Sequence, residues 1–400
     1  MLKLFFITIY LIIFLILSFK NLKNSVYLVI LTLPLYLVRF KVFGLPTTIL
    51  EFEILILFVV FFIRALKYGD TREIISNFKS KIINFKLLLV GCSLLLIASI
   101  ISIFMSPNLY SAVGLWRAYF LEPFLFFIVF ISIMNKEDFR KVIAVLGLNV
   151  LILSLFALYQ KFTGEFITNP FWAAEATRRV TSIFTYPNAL ALYLAPVVIM
   201  LLGFFVAGIE KQKLRVKELS KNWKLRIENL LLILSCILGF TVIYFTKSKG
   251  GLLAVLVGII FYAFFYKPFR KYFLGFIIIV FLFLFFYILM NGLPNFKGDT
   301  TVVGGDSIST RLEMWSETVK MLKTRPLLGS GINGYQSALA SFHQKQYIEI
   351  FLYPHNIFLT FWSETGLLGL TAFIIIVGWF YVAGFRKTTN DRQQTTDNSH

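Results

Sequence analysis

The chain has 400 residues, of which 58% are hydrophobic and only 15% are charged. A soluble domain cannot bury that much apolar surface. The composition therefore excludes a soluble protein and indicates a polytopic α-helical membrane protein. The net charge of +19 does not by itself indicate nucleic-acid binding, since the cytoplasmic loops of membrane proteins collect Lys and Arg.

The apolar runs predict an all-α fold with about eleven transmembrane helices. The first run follows Lys3 and ends near Leu17 without a small-residue cleavage site, which indicates a retained helix instead of a removed signal peptide. The other predicted spans are 25–43, 47–63, 87–105, 118–134, 142–160, 188–209, 229–246, 251–266, 272–290 and 366–384.

This pattern divides the chain into three regions. Residues 1–160 are predicted to be an N-terminal transmembrane scaffold. Residues 161–384 are predicted to form a second membrane domain, which includes one large extracytoplasmic loop at 291–355. Residues 385–400 are polar and are predicted to be a disordered tail.

The distribution of Lys and Arg predicts the orientation. One side of the membrane would carry most of the 39 Lys and Arg residues, and the positive-inside rule makes that side cytoplasmic. The segments on that side are Lys20 with Lys23, 64–86, 135–141, 210–228, 267–271 and the tail. The loops 161–187, 247–250 and 291–355 then share the outer face, and an odd number of spans places the N-terminus outside. The basic runs 79–86 and 211–226 are interpreted as topology signals; binding of anionic lipid or nucleic acid is the alternative.

Several cations nevertheless lie on the predicted outer face. Arg178 and Arg179 precede a span, Lys247 and Lys249 flank a serine in a tight turn, and Arg311 lies in the large loop. Since these positions oppose the positive-inside bias, each suggests a specific role. No comparable set of charges occurs near the middle of the predicted spans, which disfavours a proton-coupled transporter.

Arg311 belongs to a helix-start signal. Thr310 and Glu313 fit a capping box, and Pro326 is expected to end the helix. A cation at the first helical position opposes the helix dipole, so its presence favours a bound anion there. The alternative is that Arg311 points into water.

His355 lies at the membrane-side end of the large loop and is followed by Asn356. A neutral imidazole can take a proton from a hydroxyl at ambient pH, although a lone histidine can equally be an interfacial anchor. His343 is interpreted as solvated or structural. Trp172 and Trp315, away from clear span ends, are possible glycan contacts.

Two further patterns are less specific. The run 328–334 is a glycine turn that could cradle a phosphate or stop a helix. Cys92 and Cys236 both lie in apolar segments and are expected to be core residues. No Cys/His cluster has metal-ligand spacing, so neither a metal nor a cofactor is predicted.

Four separated blocks together resemble the O-antigen ligase and polymerase superfamily of membrane glycan-transfer enzymes. They are Arg179–Phe184 with Pro187 and Asn188, Thr246–Gly251, Arg311–Trp315 continuing to Pro326–Gly331, and His355–Asn356 followed by Glu364–Gly369. The resemblance implies transfer of a glycan from a polyprenyl-pyrophosphate carrier to an acceptor hydroxyl on the outer face of the inner, cytoplasmic membrane, without a metal. The partners it implies are that donor, a glycan, lipid or protein acceptor and membrane lipids, with no nucleic acid.

The resemblance also implies roles for individual residues. Arg179, Lys249 and Arg311 would hold the pyrophosphate, and His355 would act on the acceptor hydroxyl as the catalytic residue. The supporting residues would be Asn188, Asn356 and Glu364. Two features depart from the family pattern: Lys249 stands where the family usually has Arg, so it lacks a bidentate fork, and only one clear span follows His355.

Other functions remain open from the sequence. A ligase and a polymerase are not separated, and a flippase or secondary transporter for an anionic lipid-linked substrate would use the same cations for binding only. A membrane scaffold without either activity is the third possibility. Because one base and no carboxylate nucleophile is evident, the predicted chemistry is direct attack with inversion at the transferred sugar.

Overall fold

The computed structural model describes residues 2–42, 44–67, 86–212, 223–265, 307–343 and 350–397. Within these ranges, seven helices are long and apolar enough to cross a membrane, which supports an all-α membrane protein. They are Lys3–Lys20, Lys86–Phe104, Leu109–Ile133, Lys136–Thr163, Pro187–Phe205, Ile227–Phe245 and Ile357–Gly384. The prediction of about eleven spans is not confirmed, and the predicted span 272–290 lies outside the described residues.

The predicted span 25–43 is wrong. Helix α2 ends at Leu31 and is followed by a 3₁₀ turn and a two-stranded hairpin. Pro34 lies at the start of that turn and has no N–H to continue the helical ladder. Gly44 turns the hairpin with φ +81°, a value that side-chain-bearing residues rarely adopt. The elements of this region are α1 (Leu2–Lys20), α2 (Leu22–Leu31), the 3₁₀ turn Leu33–Leu37, β1 (Arg39–Val42), β2 (Leu45–Thr48) and α3 (Ile49–Lys67).

The remaining elements are helical. They are α4 (Lys86–Phe104), α5 (Leu109–Trp116), a π turn (Arg117–Leu121), α6 (Glu122–Ile133), a 3₁₀ turn (Lys136–Asp138), α7 (Phe139–Thr163), α8 (Pro170–Ala173), α9 (Pro187–Gln212), α10 (Trp223–Phe245), α11 (Lys249–Phe265), α12 (Ser307–Thr324), α13 (Tyr335–Leu339) and α14 (Ile357–Asp397). Helix α14 continues through residues 385–397, which the sequence assigned to a disordered tail.

The chain divides into two compact units. The first comprises residues 1–41, 47–53 and 134–294. In its described part, α7, α9 and α10 pack against one another, and α11 packs on α9. Their shared core includes Val150, Leu194, Val198 and Val242, all of them fully buried.

The second unit comprises residues 42–46, 54–133 and 295–400. Its largest helix contact is between α4 and α14. A smaller core joins α12 to α13 through Met321, Leu322, Tyr335 and Leu339, which are all at most 1% exposed.

Helix α14 is interrupted at Gly366, whose φ of 69° and ψ of −174° are not helical. The segment before α13 enters this interruption: the Leu367 N–H donates to the Leu327 carbonyl at 3.0 Å, and the Ser330 N–H donates to the Ser363 carbonyl at 2.6 Å. A Cβ atom on Gly366 would lie 2.2 Å from the Leu327 oxygen. The glycine-rich turn therefore serves close backbone packing against α14.

Candidate functional site

The loop between α7 and α9 is held by one buried amide, Gln160. Its Oε1 accepts hydrogen bonds from the backbone N–H groups of Thr181 at 3.0 Å and Ser182 at 2.7 Å. Its Nε2 donates to the Ser182 carbonyl at 2.9 Å and to the Phe166 carbonyl at 3.1 Å. Since buried peptide groups without partners are costly, this side chain lets Thr181 and Ser182 be buried.

The adjacent arginines 178 and 179 have different partners. Arg178 donates from Nη1 to the Lys161 carbonyl at 3.0 Å and to the Phe162 carbonyl at 3.3 Å, so it caps the C-terminal turn of α7. Arg179 donates from Nε to the Thr246 carbonyl at 2.7 Å and from Nη2 to Asn188 Oδ1 at 3.1 Å. Arg178 is therefore structural, and Arg179 links the α7–α9 loop to the turn before α11.

Burial also acts on Arg179. Desolvation lowers the pKa of its guanidinium, although such a group stays charged at any physiological pH. A partly desolvated cation interacts more strongly with an anion than a fully hydrated one does.

The turn before α11 positions Lys249. Ser248 Oγ accepts the Gly251 N–H at 3.3 Å, and the Ser248 carbonyl accepts the Leu252 N–H at 3.0 Å, so Ser248 is the N-cap of α11. Lys249 is then the first helical residue, with an exposed side chain. A Cβ atom on Gly251 would lie 2.8 Å from the Cβ of Ala191, which explains why a glycine stands at this helix contact.

The predicted capping box at the start of α12 is wrong. The described helix already includes Ser307, which places Thr310 inside it and Arg311 in its second turn. Serines 307 and 309 and Thr310 themselves continue the helix, so the Thr–Glu spacing gave a false boundary. Arg311 therefore does not stand at a helix N-terminus, and the helix dipole gives no reason to expect an anion there. Any support for anion binding has to come from the residues beside Arg311.

Beside Arg311 lies His355, in a short segment held from two sides. The Trp315 indole N–H donates to the Pro354 carbonyl at 2.7 Å, and the Phe351 ring meets the His355 ring edge to face, with centroids 5.2 Å apart. His355 itself has φ of 50°, in the sparsely populated left-handed region. Partial burial, and then the positive charge of Arg311, lower the pKa of His355 below its ordinary value. Both effects favour the neutral imidazole.

The two residues named as supporting His355 have specific contacts. Asn356 is the N-cap of α14, because its Oδ1 accepts the N–H groups of Phe358 at 3.0 Å and Leu359 at 3.3 Å. Glu364 lies next to the interruption of α14, where its Oε1 accepts the Asn333 N–H at 3.2 Å. Both contacts fix backbone: Asn356 holds the first turn of α14, and Glu364 holds the backbone at Asn333.

Within the first unit the structure brings Arg179 together with Asn188 and the 246–251 turn; within the second it brings Arg311 together with His355. His343 pairs with Glu317, whose Oε2 lies 3.0 Å from the His343 Nδ1. No group of three or more metal-ligating side chains occurs among the described residues.

Two residues that position the site were not found from the sequence: Gln160, and Trp315 through its hydrogen bond to the Pro354 carbonyl. Gln160 had a recognisable signal, because it is a polar residue at the end of the long apolar run 142–160. The role of Trp315 had none, since it depends on a carbonyl 39 residues away.

In a comparison with known protein families, residues 234–374 match the family model described as O-antigen ligase. The matched segment contains the 246–251 turn, Arg311 and His355, whereas Arg179 and Asn188 precede it. No curated protein matches the chain.

Proposed function

We propose that this chain, whose residues 234–374 support its membership of the O-antigen ligase family, moves a glycan from a polyprenyl-pyrophosphate carrier to an acceptor hydroxyl on the outer face of the cytoplasmic membrane. The observation that carries the proposal is the pair formed by Arg311 and His355 in the second unit. One member is a cation suited to an anionic donor, and the other is a histidine whose pKa is lowered by desolvation and by that cation.

The donor requires positive charge. When the bond between the sugar and the pyrophosphate breaks, negative charge develops on the leaving oxygen, and fixed cations in a partly desolvated site stabilise it. Arg179, Lys249 and Arg311 are proposed for this task. Asn188 and the Thr246 carbonyl hold the Arg179 guanidinium in place.

The acceptor requires a base, and His355 is proposed for it. The imidazole takes the proton of the acceptor hydroxyl while that oxygen attacks the anomeric carbon. The bond from the anomeric carbon to the pyrophosphate oxygen breaks, and its electron pair leaves with the polyprenyl pyrophosphate. One direct displacement inverts the anomeric configuration, and the proton on His355 then passes to solvent.

The test is transfer by the purified full-length protein in lipid nanodiscs, offered a defined polyprenyl-pyrophosphate glycan with and without acceptors and a chelator. His355→Ala should keep donor affinity and lose transfer by about 10²–10⁴-fold, the usual contribution of a general base. His343→Ala is the matched control, because His343 lies in the same unit and pairs with Glu317.

Each alternative predicts a different result. Carrier translocation without transfer, unchanged by His355→Ala, would establish a flippase. Loss of transfer in chelator would refute the metal-free scheme, and a trapped covalent glycosyl-enzyme would refute direct inversion. Extension of a repeat-unit glycan or capping of a lipid or protein acceptor would distinguish a polymerase from a ligase.

A further inference from the structure

Helix α8, a single turn in the α7–α9 loop, is fastened at both ends. At its start, Asn169 Oδ1 accepts the Phe171 N–H at 2.9 Å. At its end, the Trp172 carbonyl accepts the Arg179 N–H at 3.0 Å, and the Ala173 carbonyl accepts Arg178 Nε at 3.0 Å. The turn is therefore positioned by the same two arginines that lead into the Arg179–Phe184 block.

This fastening sets the Trp172 indole beside the Arg179 guanidinium, whose Cζ lies 6.0 Å from the ring centroid. The indole is half-buried, and its N–H has no hydrogen-bond partner among the described residues. An aromatic ring next to a phosphate-binding cation offers an apolar face, and the indole N–H offers one donor.

We propose that Trp172 is the platform for the sugar attached directly to the carrier pyrophosphate. If Arg179 holds a phosphate oxygen, the first sugar is covalently bound to that phosphate group and must lie immediately beside the guanidinium. The apolar face of the sugar ring packs on the indole, and one ring hydroxyl accepts the indole N–H.

This role deepens the proposed function and rests on it, because it assumes that Arg179 binds the pyrophosphate. It adds a selectivity that cations alone do not provide. Arginine and lysine bind the glycan-bearing carrier and the spent polyprenyl pyrophosphate alike, whereas a sugar platform favours the glycan-bearing one. Trp172 therefore lets the donor compete better with the spent carrier for the same cations.

The test compares two ligands on full-length protein in nanodiscs: polyprenyl pyrophosphate, and the same lipid carrying one sugar. Trp172→Ala should weaken binding of the sugar-bearing lipid by about tenfold, and leave binding of the bare lipid unchanged. Trp172→Phe keeps a ring without the N–H, so its affinity for the sugar-bearing lipid should lie between that of Trp172→Ala and that of the unchanged protein. Phe171→Ala is the matched control, since Phe171 is the neighbouring ring on the same turn and is 64% exposed.

Equal affinity of Trp172→Ala and the unchanged protein for the sugar-bearing lipid would overturn the platform alone. Equal weakening of both ligands would also overturn it, since Trp172 would then act only through Arg179. If the unchanged protein bound neither lipid, the proposed function itself would fail, and the platform with it.

Discussion

Gly366→Ala tests the interruption of α14 and has a magnitude that follows from the structure. An alanine at φ 69° and ψ −174° occupies a region used almost only by glycine, at a cost of about 1–3 kcal/mol. Its Cβ would also lie 2.2 Å from the Leu327 oxygen and 3.0 Å from the Leu328 carbonyl carbon, and such overpacking costs about 1–3 kcal/mol more.

The expected loss of stability is therefore about 2–6 kcal/mol, a large part of the roughly 5–15 kcal/mol that folded proteins have. The assay is the midpoint of thermal unfolding in detergent, read as the monodisperse fraction after stepwise heating. Gly366→Ala should lower the midpoint by at least about 4 °C, at roughly 2 °C per kcal/mol.

Gly378→Ala is the matched control in the same helix, where a Cβ would meet nothing within 4 Å. Because alanine is the better helix former, this variant should be as stable as the unchanged protein or slightly more so. If Gly366→Ala and Gly378→Ala had the same midpoint of thermal unfolding, the backbone packing described at the interruption of α14 would be refuted.

Three further predictions concern the segment around His355. Because Arg311 lowers the pKa of His355, Arg311→Gln should move the acid limb of the transfer rate to higher pH, towards the ordinary value near ~6.5, measured at saturating donor. Trp315→Phe removes the donor to the buried Pro354 carbonyl and should lower kcat about tenfold while donor Kd stays the same, as measured by stopped transfer assays and lipid binding. Asn356→Ala removes the N-cap of α14 and should destabilise the protein by about 1 kcal/mol in thermal unfolding, and Asn356→Asp should restore it.

Each of these has a contrary outcome. An acid limb that Arg311→Gln leaves in place would mean that a group other than His355 sets it. If Trp315→Phe weakened donor binding and left kcat intact, the indole would contact the donor instead of the histidine segment. Failure of Asn356→Asp to rescue Asn356→Ala would exclude the capping role.

The roles of the site residues stay predictions, but the sequence located the segments that carry them better than it predicted their backbone surroundings. Arg179, Lys249, Arg311 and His355 all stand in segments fixed by hydrogen bonds, because short motifs with polar residues between apolar helices identify such segments directly. The predicted N-cap at Thr310 was wrong, because a capping box marks a helix start only where the residue at the cap position is not itself helical. Here the helix already includes Ser307.

The hairpin after α2 and the break at Gly366 were missed for a different reason. An apolar run with one proline, such as 25–43, is compatible with a kinked span, and composition alone does not reveal that the chain turns into strands there. The break in α14 depends on the Leu327 carbonyl, which is 39 positions earlier in the chain. Contacts between distant backbone atoms leave no periodic signal in the sequence.

Gln160 sets a limit on how the loop that carries Arg179 can vary. Its task needs an acceptor for two N–H groups and a donor for carbonyl groups at the tip of the same side chain. Glutamate has no donor when ionised, asparagine is one methylene shorter, and no other side chain carries an amide. Any single substitution at this position should therefore leave at least one of these backbone groups without a hydrogen-bond partner. A change at Gln160 should require compensating changes in the segments that supply those groups.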